Sequence, residues 1–190
     1  MQVHHITPGR SDKNIGKALN QMIENLPDDD WICYRDIDTM PLHHRVFFGQ
    51  CEAIAESGEY DLIGCMTNRL SVQYQLHGGE MSNDYNIENH IKIAEDRYYK
   101  YGNKVHDCPN IIAGIMMLFS KKVWLESGKF KEGGVQVNGT FFDYLFSKQV
   151  KAVGGRLGIA QGIYLFHLYR PWVVEAYNKR VRTEYQHLIN

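Results

Sequence analysis

The chain has 190 residues, a formal net charge of -1 and an apolar fraction of 44%. That length fits one domain, and that composition supports a buried core. The near-neutral charge leaves no electrostatic footprint for nucleic acid or for an anionic membrane surface.

No apolar run is long enough to span a bilayer, so no transmembrane segment is expected. Met1-Gln-Val-His-His5 lacks the basic-then-apolar pattern of a signal peptide. Cys33, Cys51, Cys65 and Cys108 are far apart and form no Cys-x-x-Cys pair, which argues against a zinc ribbon or redox motif. Cys33 and Cys65 sit in apolar strand-like runs and read as buried free thiols. A reduced, cytoplasmic compartment is the expectation. No repeat or Pro/Gly/Ser-rich linker divides the chain, so one domain is expected over residues 1–190, with 171–190 as a helical tail.

Val3 to Ile6 reads as an opening strand. A polar loop, Thr7 to Asp12, leads into apolar positions Ile15, Ala18, Leu19, Met22, Ile23 and Leu26 at helical spacing. Ser11 or Asp12 is the expected cap, and Pro27-Asp-Asp-Asp30 the stop. Trp31 to Tyr34 is a short apolar run suited to a buried parallel strand, and it runs into Arg35-Asp-Ile-Asp38. Pro41 fits the first turn of a second helix, roughly Leu42 to Ala55. Leu62 to Cys65 reads as another strand, and residues 68 to 85 as a loop or short hairpin. Ile87, Ile91, Ala94 and Tyr98 predict a third helix. Ile115 to Phe119 is a strongly apolar strand. Ser120 caps a short helix through Leu125 that Gly128 stops. A loop follows from Lys129 to Gly139. Phe141 to Val150 reads as a helix ended by Gly154-Gly155. Two short strands, Arg156 to Ile159 and Ile163 to Phe166, precede the tail. Strands alternating with helices predict an α/β fold with a mixed, mostly parallel sheet.

Asp36 and Asp38 stand at i and i+2 at the carboxyl end of a buried strand. In extended chain such side chains share a face, and ligands of open α/β sheets bind beyond carboxyl strand ends. Two adjacent carboxylates repel unless a cation or hydrogen bonds stabilise them. Mg²⁺ or Mn²⁺ with a substrate phosphate is the simplest resolution; a helix cap at Asp38-Thr39 in a solvated turn is the plainer one. His167, at the end of Ile163-Tyr-Leu-Phe166, is a candidate third ligand, and imidazole would tilt the choice towards Mn²⁺. The alternative is a histidine packed in the core or at the sheet edge, the reading given to the other eight histidines. Asp143, among Phe141, Phe142 and Tyr144, is either a general base with a raised pKa or a first-turn acid that complements a helix dipole.

Three stretches resemble glycosyltransferases of the A-type fold. Asn14-Ile-Gly-Lys-Ala-Leu-Asn20 followed by Asp28-Asp-Asp-Trp-Ile-Cys-Tyr-Arg-Asp-Ile-Asp38 is similar to the segment leading into that family's Asp-x-Asp motif. Gly114 to Phe130, with Ser-Gly-Lys-Phe at its end, resembles the acceptor-side strand, helix and Gly-x-Phe turn. Phe142-Asp-Tyr, with Gly154 to His167, resembles the closing segment. The resemblance implies an A-type glycosyltransferase fold, a UDP- or GDP-linked sugar donor and a hydroxyl acceptor. Asp36, Asp38 and His167 would bind the metal, Lys17 would join Asp36 and Asp38 at the donor, and Asp143 would be the base. The chain departs from the family in two places. Only Met1 to Ser11 precedes the Asn-x-Gly segment, so either Val3 to Gly9 serves as a reduced nucleotide loop or that site is incomplete. Phe142 also stands where the family has an acid beside the base, which leaves a retaining outcome open. Arg10 reads as a solvated residue.

Three functions follow in order. The first is metal-dependent sugar transfer. The second is nucleotide or sugar binding without catalysis on a reduced fold. The last is a metal-dependent phosphohydrolase, for which no second acidic cluster is present. Tyr169, Trp172 and Tyr177 are expected to pack on the sheet, or otherwise to meet an acceptor sugar or a second copy of the chain.

Overall fold

A computed structural model describes residues 1–9, 14–108, 110–133, 136–137 and 140–168. The expected helical tail, Arg10, and the expected caps Ser11 and Asp12 lie outside them. Cys33, Cys51, Cys65 and Cys108 are all free and buried, and no helix among the described residues is long and apolar enough to cross a membrane.

The chain begins with β1 (Val3–Ile6) and α1 (Ile15–Glu24), whose N-cap is Asn14: its side chain accepts the Lys17 N–H at 3.0 Å. Next come β2 (Trp31–Arg35), β3 (Thr39–Pro41), α2 (His44–Ser57) and β4 (Leu62–Thr67). Residues 68 to 86 form a loop with two single 3₁₀ turns, Gln73–Gln75 and His77–Gly79. Then follow α3 (Ile87–Tyr101), β5 (Val105–Asp107), β6 (Met116–Ser120) and α4 (Lys121–Glu126), the last capped by Ser120 as its sequence predicts. A two-stranded ribbon, β7 (Gln136–Val137) and β8 (Thr140–Phe141), precedes α5 (Phe142–Ala152) and β9 (Leu157–His167).

Seven strands form one sheet in the order β1-β2-β6-β4-β9-β3, with β5 also paired to β9. β1, β2, β4 and β9 run one way; β6, β3 and β5 run against them. The sheet is mixed, as expected, but parallel pairing is confined to β1–β2 and β4–β9. Antiparallel β6 is wedged between β2 and β4, and short strands close the far edge. Helices cover both faces. Ile32 and Phe119 of the sheet pack with Leu19 and Ile23 of α1, Trp124 of α4, Phe146 of α5 and the loop residue Phe130. Cys33, Ile63, Leu118 and Leu165 pack against Phe47, Cys51 and Ile54 of α2 on the other face. β2 therefore serves both cores, Ile32 and Tyr34 facing one and Trp31 and Cys33 the other, by the period-two alternation of a strand.

Three expectations are corrected. Pro41 ends a strand, and α2 starts three residues later at His44. The two short strands read at the end of the chain are one, β9. Its pairing with β4 shifts between Cys65 and Met66, so that Ala160 and Tyr164 face consecutive β4 residues and Gln161 to Ile163 bulge out. Gly162 sits in that bulge against the Gly102 carbonyl, where a Cβ would collide. The Ala-Gln-Gly triplet has the composition of a turn but is a bulge held by neighbours. β5, in a stretch given no element, β7, inside the expected loop, and β8, whose Phe141 is the expected start of a helix, are also strands.

The topology has one consequence for chemistry. The carboxyl ends of β2, β4 and β9 and the amino end of β6 lie along one edge of the sheet, where such folds place ligands.

Candidate metal centre at the carboxyl edge

Asp36 follows β2 directly. Its backbone N–H donates to the Ile115 carbonyl at 3.1 Å, and its carbonyl accepts from the Thr39 N–H at 3.2 Å and the Thr39 hydroxyl at 2.7 Å. Asp36 to Thr39 is thus a tight turn into β3, where the spacing of the two acids suggests extended chain. Thr39 makes the difference, because it offers two donors to a single carbonyl. Ile37 at the tip is 81% exposed.

β3 pairs with the end of β9, Thr39 against His167. This register sets Asp38 beside His167, and the Leu168 N–H donates to the Asp38 carbonyl at 2.9 Å. Asn68, buried just beyond β4, clamps His167 from the other side. Its Oδ1 accepts the His167 N–H at 2.7 Å, and its Nδ2 donates to the His167 carbonyl at 3.2 Å.

Ligand atoms of Asp36, Asp38 and His167 all lie within 4.8 Å of one another. The His167 ring is held by its Nδ1, 2.8 Å from the Arg69 carbonyl. A carbonyl only accepts, so Nδ1 carries the proton and donates. Nε2, the other ring nitrogen, lies 3.4 Å from Asp38 Oδ1. An imidazole ordered by a backbone carbonyl, with two carboxylates in reach, is a donor set that suits a divalent ion. Asp38 is 39% exposed, so the group is open to solvent and substrate on one side.

Burial raises the Asp36 pKa to about 6. The nearby charges of Asp38 and Asp143 add to the rise, while the Tyr34 hydroxyl and His167 oppose it. A bound cation would favour the charged form of Asp36 that burial disfavours.

Asp143 sits in the first turn of α5, on the face towards Tyr34 and Asp36. Its Oδ2 accepts the Gly114 N–H at 2.6 Å, and its Oδ1 accepts the Tyr144 N–H at 2.8 Å. Gly114 adjoins Ile115, the residue bonded to Asp36, so a two-residue step of backbone links the acid to the centre. Burial raises the Asp143 pKa against the pull of those N–H groups. A Cβ at Gly114 would come within 3.0 to 3.2 Å of the Phe142 ring and the Asp143 side chain, so glycine lets the two approach.

The chain therefore brings Asp36, Asp38 and His167 together, with Asp143 adjoining. Lys17 lies in the first turn of α1, and no hydrogen bond or ion pair joins its side chain to this group among the described residues. Tyr34 and Gly114, which lie in the quoted stretches with no role of their own, and Asn68 and Arg69, which lie in none, also build the site. Their one sequence signal is position: Asn68 and Arg69 directly follow a strand that points its carboxyl end at the same edge. No family model matches the chain, and no curated protein matches it.

Proposed function

We propose that the protein is a metal-dependent glycosyltransferase that moves a sugar from a nucleotide-diphosphate donor to an acceptor hydroxyl. The observation that carries the reading is the meeting of Asp36, Asp38 and His167, from two segments far apart in the chain, within 4.8 Å at the carboxyl edge of the sheet. The resemblance of Asn14–Asp38, Gly114–Phe130 and Phe142–His167 to A-type glycosyltransferases supplies the reaction class.

Asp36, Asp38 and His167 would hold Mn²⁺ or Mg²⁺, with the imidazole favouring Mn²⁺. When bound, the ion supplies charge neutralisation at the leaving diphosphate. Asp36 and Asp38 would set the negative field in which such an ion is retained, and the Arg69 carbonyl, by holding Nδ1–H, turns His167 Nε2 towards it. Asp143 would take the proton of the acceptor hydroxyl. Its buried carboxylate has raised proton affinity, and the Gly114 and Tyr144 N–H groups fix its orientation. A base so placed contributes on the order of 10²–10⁴ in rate. Ile37, exposed between the two acids, offers an apolar surface to the sugar or acceptor. Lys17 would approach the donor only as part of a completed nucleotide site.

Calorimetry with manganese and a panel of nucleoside diphosphates, followed by hydrolysis assays over nucleotide-sugars, tests the reading. Asp38→Ala is expected to abolish both the heat and the turnover while leaving the melting temperature within a few degrees, since Asp38 is half-exposed. Full activity in that variant would end the transferase reading. Nucleotide binding with no turnover of any donor would instead favour a binding protein on the same fold.

A further inference from the structure

We propose that Tyr34 is a positioning residue for the metal centre, its hydroxyl holding the Asp36 carboxylate in one orientation; the proposal rests on the metal reading above. Tyr34 stands two residues before Asp36 on the same face of β2 and is 1% exposed. A phenol buried that deeply needs an acceptor for its proton. The acceptor is Asp36 Oδ1. The other carboxylate oxygen, Oδ2, accepts no hydrogen bond among the described residues.

The donor is itself held fast. The Tyr34 ring meets Phe142 edge-on, with centroids 5.8 Å apart and an interplanar angle of 87°. Phe142 opens α5 and immediately precedes Asp143. Rotation of the phenol is blocked by that wall, so the hydroxyl occupies one place relative to the sheet edge.

The Asp36 backbone is pinned by Ile115 and Thr39. With one oxygen also occupied, the carboxylate has a single orientation left, and Oδ2 is the oxygen available to a cation. Without the Tyr34 contact, the acid at the end of β2 is free to turn, and its repulsion with Asp38 is relieved by rotation rather than by an ion. Outer hydrogen-bond partners of metal ligands act in this way, and their loss costs 10- to 100-fold in metal affinity.

Tyr34→Phe removes the hydroxyl and keeps the ring on Phe142. Manganese titrated calorimetrically into the full chain without nucleotide should bind roughly 10- to 100-fold more weakly to Tyr34→Phe than to the wild type, with the melting temperature within a few degrees. Phe142→Leu keeps the hydroxyl and loosens its wall, together with the Phe142 packing on Phe130, so its loss of manganese affinity should fall between the two. It supplies the readout if Tyr34→Phe folds poorly. A filler role for Tyr34 would move the melting temperature and leave manganese affinity alone. Equal manganese affinity in the wild type and the folded variants overturns the proposal while leaving the metal centre standing. No manganese heat from the wild type overturns the metal centre and this proposal with it.

Discussion

Asp36, Asp38, His167 and Asp143 were legible as candidates because acids at a strand end and a histidine closing an apolar run are visible in one dimension. Their partners were not legible, because an acceptor or donor from another segment leaves no local mark. Asn68 shows the difference. In sequence it is a polar residue at the start of a loop; in the fold both ends of its amide bond the His167 backbone. Asn68→Ala strips a donor and an acceptor from a buried segment. Stability measured by denaturant should fall by about 1–3 kcal/mol, the usual cost of leaving such groups unsatisfied. Manganese affinity should fall with it, because His167 then loses its register with Asp38. A variant that loses stability but binds manganese as tightly as the wild type would show that the histidine is held by other means.

At the scale of elements, strong periodic segments were readable and short ones were not. α1, α3, α4, α5, β1, β2, β4 and β6 appear within a few residues of where apolar spacing puts them. β3 and β5 have three residues each and little apolar signal of their own; they exist because β9 offers an edge to pair with, a tertiary cause. The opposite edge, β1, is secured by an acid that the sequence shows only as part of a turn. Asp30 accepts the Gln2 N–H at 2.7 Å and pairs with His4 Nε2 at 2.7 Å, while the Trp31 N–H donates to the Gln2 carbonyl at 2.8 Å. The His4 contact, chiefly, holds the Asp30 pKa below its ordinary value. An acid with a depressed folded pKa stabilises the protein above its unfolded pKa, and that contribution disappears as pH falls through the folded value. Asp30→Asn should therefore lower the melting temperature near neutral pH. The gap to the wild type should close as the pH drops below the usual carboxylate range, about 4. A gap that persists undiminished into strong acid would show that the contact is not electrostatic.

For the whole molecule, the two cores are complete without the acids at the edge, so the fold does not depend on an ion. Binding then appears as added stability rather than as folding. Manganese with a nucleoside diphosphate at about 100 times its Kd should add about 2.7 kcal/mol, read as a higher melting temperature that chelation reverses. Asp38→Ala should show no such rise; a rise of equal size in that variant would place the ligand elsewhere. The order of assembly is also set by the topology. Asp36 and Asp38 are made early, yet the strand that brings His167 beside them is β9, the last element described, and that same strand carries the pairings of β3, β4 and β5. A chain leaving the ribosome therefore carries its two carboxylates long before His167 can join them. His167 and the far half of the sheet, where β9 pairs with β3, β4 and β5, take their places only once residue 167 has emerged.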